Sequence, residues 1–305
     1  MTKDKALLKQ QIITLLAGFN TDPDADIRSQ VLALIPVWEG LQSLGTTLVP
    51  QAVAKSARDR ILHYLRKYPL QIISHKEIMI VAGISEWARR VRELRVERGW
   101  AIMSGTTARD MQNAGEFEGL PDCSGMKPDD YILIDERQDR EAAYRWKVAN
   151  EIRKSKGGSK AHILEFLREN VGKAVSGEEL RYVAKGAAEW ARRIRELRTE
   201  DGWPVRSRLN GRPDLPIGVY ILEEDRQAPV HDRKIEDRVR GNVLKRDTYC
   251  CVDCGWSRKD WNADDPRYLE LHHIQHHADG GDNTEDNLIT LCNICHDAVH
   301  RKEGR

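Results

Sequence analysis

The sequence predicts an α+β, multidomain protein with a helical amino-terminal segment, two copies of a helix-and-hairpin unit and a metal-binding carboxy-terminal domain. Three observations predict it: an apolar helical pattern near the amino terminus, an internal repeat, and a concentration of cysteine and histidine after residue 250. A chain of 305 residues buries a sizeable core more readily as several domains than as one.

The overall charge identifies no partner. The 49 lysines and arginines nearly balance the 48 aspartates and glutamates, which gives a net charge of +1. So small a charge exerts no general attraction on a polyanion, and any nucleic-acid surface must therefore arise from local clusters of basic residues.

Residues 1–56 form the helical amino-terminal segment. The stretch "DIRSQVLALIPVWEGLQSL" has the apolar spacing of a helix, which Pro36 and Pro50 are expected to break. The first residues lack a signal-peptide cleavage site, and no stretch is long enough to span a bilayer. We therefore expect a cytoplasmic protein without a membrane partner, in which paired cysteines hold metal rather than form disulfides.

An internal repeat defines the middle of the chain. The stretch "WARRVRELRVERGW" at 87–100 returns as "WARRIRELRTEDGW" at 190–203, with eleven of fourteen positions identical. In each copy a Ser-x-x-Glu capping box, beginning at Ser74 or Ser176, opens the helix before the arginine-rich one. Three helices followed by a hairpin resemble a winged helix.

The repeat sets the expected domain boundaries. The winged-helix-like copies span residues 57–140 and 161–228, and their return strands are expected at 131–134 and 219–222. The basic stretch at 141–160 ends in two glycines and a serine, which suits a flexible linker. Residues 229–305 form the last domain.

The third helix of each copy carries the candidate DNA contacts. On a helical wheel, Trp87, Val91 and Leu94 fall on one side, so the tryptophan is expected to pack beneath the helix. Arginines point the opposite way in both copies, namely Arg89, Arg92, Arg192 and Arg195. In a helix-turn-helix such residues contact bases or phosphates in the major groove. The alternative is a solvated charged face that Glu93 and Glu196 partly neutralise.

Four cysteines have the spacing of a structural zinc site. They form two Cys-x-x-Cys pairs, Cys251 with Cys254 and Cys292 with Cys295. Two such pairs present four thiolates to one Zn²⁺, whereas a single pair would also fit redox chemistry. Cys250 offers a second spacing, but we assign Cys251 to the site. Cys123 has no partner and is expected to be inert.

The histidines between the cysteine pairs suggest a second metal site. His272 and His273 are adjacent, and in an extended strand they point to opposite sides. One of them is therefore able to bind a cation while the other faces a substrate. His296 and His300 lie four residues apart in a helical stretch, so both are on one face and suited to chelating one ion.

These residues carry a family resemblance. The stretch "YCCVDC…LELHHIQHHADGGDNTEDNLITLCNICHDAVH" resembles the ββα-metal HNH nuclease domain of the McrA-like kind over residues 240 to 301. The resemblance implies that His273 is the general base and that Asn287 holds the loop that positions it. It also implies that His272 and His296 bind the catalytic divalent metal, with His300 as a third ligand.

The cofactors that follow are structural Zn²⁺ and one catalytic divalent cation, Mg²⁺, Mn²⁺, Ni²⁺ or Zn²⁺. Many relatives have aspartate where His272 stands, and an all-imidazole site suits Zn²⁺, Ni²⁺ or Mn²⁺ better than a carboxylate site does. Phosphodiester hydrolysis needs a nucleophile, a Lewis acid and a base with a pKa near neutrality, and histidine supplies the last.

The sequence therefore predicts a bacterial restriction endonuclease that cuts double-stranded DNA and reads its target through the two repeats. A methylation-dependent enzyme, for instance one that reads N6-methyladenine, is a variant of this hypothesis. The alternatives are a catalytically silent DNA-binding zinc protein and a homing or mobile-element HNH nuclease. One HNH domain cuts one strand per visit, so a double-strand break requires a homodimer or two sequential events.

Overall fold

The computed structural model describes residues 4–116, 118–227, 235–257, 259, 265–275 and 281–302, with side chains described to residue 299 in the last segment. The contacts divide the chain into two compact units, which comprise Met1–Thr106 with Pro121–Ala143, and Thr107–Leu120 with Tyr144–Arg305. Helices and strands are mixed, as the sequence predicts. No helix in the described ranges has the length and apolar character needed to cross a membrane.

The amino-terminal segment is a pair of packed helices, α1 (Lys5–Ala17) and α2 (Ile27–Thr46). Asp4 and Asp26 cap their first turns through side-chain hydrogen bonds. The expectation that Pro36 breaks the helix is wrong, because α2 runs through it. Proline removes one backbone donor, and the residues of that turn are exposed, so the carbonyl that loses its partner remains accessible to solvent.

The first repeat lies in the first unit except for residues Thr107–Leu120, which include most of the helix Gly105–Asn113 and belong to the second unit. Its elements are α3 (Ala57–Lys67), α4 (His75–Ala82), α5 (Trp87–Arg92), β1 (Trp100–Ser104), α6 (Gly105–Asn113) and β2 (Tyr131–Gln138). After α5 the helix continues as a π-helical turn over Glu93–Glu97 and ends at Gly99, whose φ is +68°. β1 pairs antiparallel with β2, and Ile73 forms a bridge to Tyr131 on the other edge of β2.

The predicted flexible linker at 141–160 is wrong over most of its length. Residues Ala142–Lys154 form a helix, α7. Its buried face carries Ala142, Trp146, Ala149 and Ile152, at the spacing of an amphipathic helix. That apolar spacing overrides the basic composition that suggested a linker, because it lets the segment bury one side.

The second repeat lies in the second unit and shares three helices and two hairpin strands with the first. It adds a short strand after its first helix, and the described residues between its hairpin strands form no helix. It comprises α8 (Ser159–Arg168), β3 (Val175–Ser176), α9 (Gly177–Val183), α10 (Trp190–Thr199), β4 (Val205–Ser207) and β5 (Val219–Leu222). β5 is the central strand of a three-stranded antiparallel sheet, flanked by β3 and β4. Both predicted capping boxes are formed, by Ser74 with Glu77 and by Ser176 with Glu179.

A buried arginine joins distant segments of the second unit. Arg198 in α10 has a fully buried side chain, and it forms ion pairs with Glu116 at 3.0 Å and Asp237 at 2.6 Å. Burial alone would lower the pKa of Arg198, but the two carboxylates outweigh it and raise that pKa. The hairpin insertion of the first repeat and the start of the last domain are thus both tied to α10.

The last domain is a two-stranded sheet flanked by helices. Its elements are α11 (Asp237–Arg246), β6 (Leu269–His273), a 3₁₀ turn (Glu285–Asn287), β7 (Leu288–Cys292) and α12 (Asn293–Lys302). β6 and β7 are antiparallel, with Leu269 opposite Cys292 and His273 opposite Leu288. Val243, Leu271 and Leu291 belong to the core between sheet and α11.

Candidate active site

The four predicted zinc ligands form one cluster. The sulfur atoms of Cys251, Cys254, Cys292 and Cys295 all lie within 4.8 Å of one another. The Cys254–Cys292 sulfur distance is 3.8 Å, and a tetrahedron with Zn–S bonds of about 2.3 Å has edges of roughly that length. Cys251 and Cys292 are also buried in the domain core. The arrangement therefore fits a structural Zn²⁺.

The two remaining cysteines lie outside this cluster. The thiol of Cys250 donates to the carbonyl oxygen of Thr248 at 3.4 Å, and that of Cys123 donates to Pro121 at 3.2 Å. Burial raises the pKa of the Cys123 thiol, which lowers its reactivity at neutral pH.

β6 positions the adjacent histidines at its carboxyl end. Both are buried, with 5% of His272 and 1% of His273 exposed. Because successive strand residues face opposite sides, His272 shares a face with Glu270, whereas His273 shares the other with the core residue Leu271. The structure thus separates the two imidazoles as the sequence predicts.

His272 faces a histidine from the following helix. Its ring and that of His296 lie edge to face with centroids 5.2 Å apart. Two imidazoles from a strand and a helix, brought together in this way, fit a divalent cation. His300 belongs to the same helix, but its side chain lies outside the described residues.

Glu270 is a neighbour of this pair that sequence reasoning missed. Its Oε2 atom is 3.2 Å from Nδ1 of His296. Burial raises the pKa of Glu270, although the positive charges of Arg206 and Arg226 act in the opposite direction. The two atoms are not hydrogen-bonded to each other, so Glu270 places a carboxyl group beside the histidine pair without orienting His296. The signal available in the sequence was the alternation of Glu270 and His272 along one strand.

Asn287 braces the loop between β6 and β7. Its amide nitrogen donates to the carbonyl oxygens of Gln275 at 3.0 Å and Asp282 at 2.8 Å, while its Oδ1 accepts from the Gln275 amide at 2.8 Å. A Cβ on Gly281 would come within 1.8 Å of the Gln275 carbonyl oxygen, so only glycine permits this close approach. The two described ends of the loop are held together by one side chain.

A second asparagine contacts His273 directly. Asn283 Oδ1 lies 2.7 Å from Nε2 of His273. Since a carbonyl oxygen only accepts, this contact holds a proton on Nε2 and fixes the tautomer of the neutral imidazole. Sequence reasoning missed Asn283 because several polar residues of the turn-rich stretch "GGDNTEDN" were equivalent candidates.

The predicted DNA-contacting arginines are exposed in both repeats. Arg89 forms an ion pair with Glu93 at 3.2 Å, and Arg192 forms the equivalent pair with Glu196 at 3.2 Å. Arg90, which donates twice to Glu93, holds the pKa of that carboxyl below its usual range. Arg89 and Arg192 are thus partly neutralised, as the alternative interpretation expects.

Arg92 and Arg195 differ from their neighbours. Within the described ranges, neither has a carboxylate within 4 Å. Both are exposed on the arginine-rich helices. They are therefore the members of the predicted set whose charge remains available to a polyanion.

The second repeat contacts the strand that carries the histidines. Arg206 of β4 is buried, and its Nη2 atom donates to the carbonyl oxygen of Leu269 at 2.9 Å. The adjacent residue, Tyr268, donates its hydroxyl to Glu224, which follows β5, at 2.7 Å. The histidine-bearing strand is thus anchored to the sheet of the second repeat.

Comparison with known proteins assigns families to two parts of the chain. Residues 251–302 match the model described as HNH endonuclease, and residues 58–134 and 160–223 match that of the KpnI N-terminal domain. The chain is 32% identical over 79 residues to the type IV methyl-directed restriction enzyme EcoKMcrA of Escherichia coli (strain K12). That match covers 26% of this chain and 28% of the relative's length. No solved structure matches.

Proposed function

We propose that this chain, whose carboxy-terminal part is an HNH endonuclease domain, is a restriction-type endonuclease that hydrolyses phosphodiester bonds in duplex DNA. The observation that carries the proposal is the division of labour at the end of β6, where His272 faces His296 and His273 faces the other way. A purely structural zinc domain needs only its four cysteines and has no use for this arrangement.

In this proposal His272 and His296 hold the catalytic divalent cation, with His300 as a third ligand. When bound, the cation supplies a Lewis acid to the phosphate and the leaving oxygen. Glu270 lies beside them, with its Oε2 atom 3.2 Å from Nδ1 of His296. The four cysteines hold Zn²⁺, which stabilises the domain rather than taking part in hydrolysis.

His273 removes the proton from the attacking water. With Nε2 protonated against Asn283, the lone pair of the neutral ring is on Nδ1, and that atom accepts the proton. Asn287 keeps the loop that contains Asn283 closed by bonding both of its described ends. Asn287 and Asn283 are thus positioning residues, whereas His273 is the catalytic base.

The repeats read the DNA in this proposal. The second copy runs helix, strand, helix, helix, strand and strand, an order that supports a winged helix. The first copy has a bridge at Ile73 in place of the first strand and carries α6 between its hairpin strands. Arg92 and Arg195, assisted by Arg89 and Arg192, contact the duplex from the third helix. The similarity to a methyl-directed restriction enzyme supports a methylated target for this chain, and N6-methyladenine is one candidate for the methylated base.

The test compares His273→Ala with the unmodified protein on duplex plasmid. General-base catalysis contributes about 10²- to 10⁴-fold, so cleavage should fall by at least that factor while DNA affinity and zinc content stay unchanged. His63→Ala, a change at an exposed histidine of α3, is the matched control and should cut normally. Equal cleavage by the His273 variant would exclude the assigned role.

A catalytically silent DNA-binding zinc protein is the competing function. It would bind the same duplex through the exposed arginines but would cut under no condition. Cleavage by the unmodified protein that disappears in His273→Ala distinguishes the two. A homing or mobile-element nuclease is the second alternative. Such an enzyme would cleave a single long target site in DNA that carries no methyl groups.

A further inference from the structure

Helix α2 buries one side against α1. Ile12 of α1 and Val37 of α2 are each 7% exposed. Gly40 allows the two helices to approach closely, since a Cβ there would come within 2.8 Å of the Ile12 side chain. Helix α1 therefore covers this face of α2 within the chain.

An adjoining side of α2, about a quarter turn around the helix from Val37, carries an exposed apolar seam. Its members are Ile27, Val31, Leu34, Trp38 and Leu41, which follow one another at intervals of four, three, four and three residues. Their exposed fractions range from 43% for Leu34 to 77% for Ile27. This 3.5-residue period is the one with which two helices interdigitate over several turns. Leu32 and Ile35 widen the seam on one side and are also exposed.

This face is unusual for a solvated helix. Among the twenty residues of α2, only Arg28 and Glu39 are charged. The seven apolar side chains together expose on the order of 600 Å², the upper end of the largest apolar patches on monomers. A standard protein interface buries about 800 Å² per partner, so these side chains alone would supply most of one such interface.

We propose that the exposed face of α2 is the contact between two copies of this chain, packed antiparallel about a twofold axis near Leu34. The two helix pairs then form a four-helix bundle, in which Ile27 meets Leu41 of the second copy and Val31 meets Trp38. The proposal goes beyond the nuclease function and does not depend on it. For a nuclease that cuts one strand per visit, it places two HNH domains in one assembly.

Charge complementarity selects a second copy in antiparallel orientation. Arg28 lies six residues before Leu34 and Glu39 five residues after it, so the twofold axis places Arg28 opposite Glu39 of the second copy, twice. Arg28 is seven residues before Ile35, and Glu39 is seven after Leu32, which puts both charges on the exposed face. Neither has an ion-pair partner among the described residues.

The first test is the mass of the full-length protein in solution, measured by light scattering during size exclusion at micromolar concentration. The expected mass is twice the chain's 34.9 kDa, and Leu34→Lys with Trp38→Lys should reduce it to that of one chain. Val171→Lys, at an exposed apolar residue of the second unit, is the control and should remain a dimer. A monomeric unmodified protein, or a double variant that remains dimeric, would overturn the proposal.

The second test uses charge reversal, which preserves helix and seam. Arg28→Glu and Glu39→Arg alone each place like charges opposite one another and should raise the dimer dissociation constant about tenfold. The two changes together restore opposite charges and should restore the dissociation constant. Circular dichroism melting confirms that each variant is folded. A double variant as weakly associated as the single ones would exclude the antiparallel arrangement.

Discussion

At the scale of residues, the proposed catalysis depends on how one imidazole is held. His273 is 1% exposed and contacts Asn283 through Nε2 at 2.7 Å. The adjacent His272 is oriented by the pleat of the strand toward His296, so that two identical side chains acquire different chemistry from backbone geometry alone. This difference follows from strand alternation, which is why it was predictable from the sequence.

Asn283→Asp tests the tautomer argument. A carboxylate in place of the amide favours the doubly protonated imidazole, so the pKa of His273 should rise and the acidic limb of the kcat profile should move to higher pH. Asn283→Ala should lower kcat at every pH instead, because the ring loses its orientation. Asn113→Asp, at an exposed residue that ends α6, is the matched control. Identical pH profiles for all three variants would contradict the role of Asn283.

At the scale of elements, the four-cysteine cluster joins the segment before β6 to the start of α12. Its first pair precedes β6 and its second pair spans the junction of β7 and α12. Small domains of this kind draw much of their folding free energy from the bound ion. Removal of one ligand should therefore abolish the fold of the domain rather than reduce its activity by a modest factor.

Cys254→Ser is the variant that tests this role. We expect loss of one zinc per chain by atomic absorption and rapid proteolysis of the carboxy-terminal domain, with the repeats still resistant. Cys250→Ser is the control, since the Cys250 thiol bonds a neighbouring carbonyl and lies outside the cluster. Full zinc content and normal protease resistance in Cys254→Ser would contradict the assigned site.

The exposed arginines of the two arginine-rich helices differ in whether a neighbouring carboxylate neutralises their charge. Arg92→Ala and Arg195→Ala should weaken duplex binding more than Arg89→Ala and Arg192→Ala, because Glu93 and Glu196 already neutralise the latter. Each lost phosphate contact should also reduce the slope of log K against log salt by about 0.9. Fluorescence anisotropy over a salt series measures both quantities.

Lys154→Ala is the control for these arginines, because it removes an exposed positive charge from α7. It should leave both the affinity and the salt slope unchanged. If all four arginine variants behave like this control, the arginine faces are solvated surfaces and do not contact DNA.

At the scale of the whole molecule, buried polar contacts join segments that are far apart in the sequence. Arg198 and Asp237 are an example, with hydrogen bonds at 2.8 and 2.6 Å. Burial alone would raise the pKa of Asp237, but the bonds from Arg198 hold it below its ordinary 3.8. The stability of this pair is therefore fully present above about pH 4 and is lost as the pH falls through the depressed pKa.

Asp237→Asn should lower the free energy of unfolding by about 3 kcal/mol at neutral pH, as expected for breaking a buried ion pair. The difference from the unmodified protein should shrink below about pH 4, because protonation removes the same charge. Asp225→Asn, in the exposed pair with Arg168, is the control and should cost less than about 1 kcal/mol. Urea titrations at several pH values provide the measurement. A loss that is independent of pH would contradict the ion-pair account.

Elements of the fold were predictable where a few residues close together in the sequence determine them. The capping boxes at Ser74 and Ser176 depend only on residues three apart, and β5 occupies the predicted 219–222. The resemblance to HNH nucleases is confirmed by the family match over 251–302. Each of these features depends on neighbouring residues or on a recognisable sequence motif.

The rest depends on partners that are distant in the chain. Arg198 is the counterpart of Arg95 in the repeat, and nothing near it in the sequence indicates that Glu116 and Asp237 bury it. The helix at Ala142–Lys154 was missed because its basic composition was weighed above the spacing of Trp146 and Ile152. Glu270 was missed because its proximity to His296 requires the packing of α12 on β6.

The most direct test of the account is digestion of one supercoiled plasmid, prepared with and without N6-methyladenine and cytosine methylation, in the presence of Mg²⁺, Mn²⁺, Ni²⁺ or Zn²⁺. The account predicts that the full-length protein nicks or linearises at least one preparation with at least one cation, and that His273→Ala leaves that preparation supercoiled. Plasmid that stays supercoiled in every combination, or equal cutting by the variant, would contradict it.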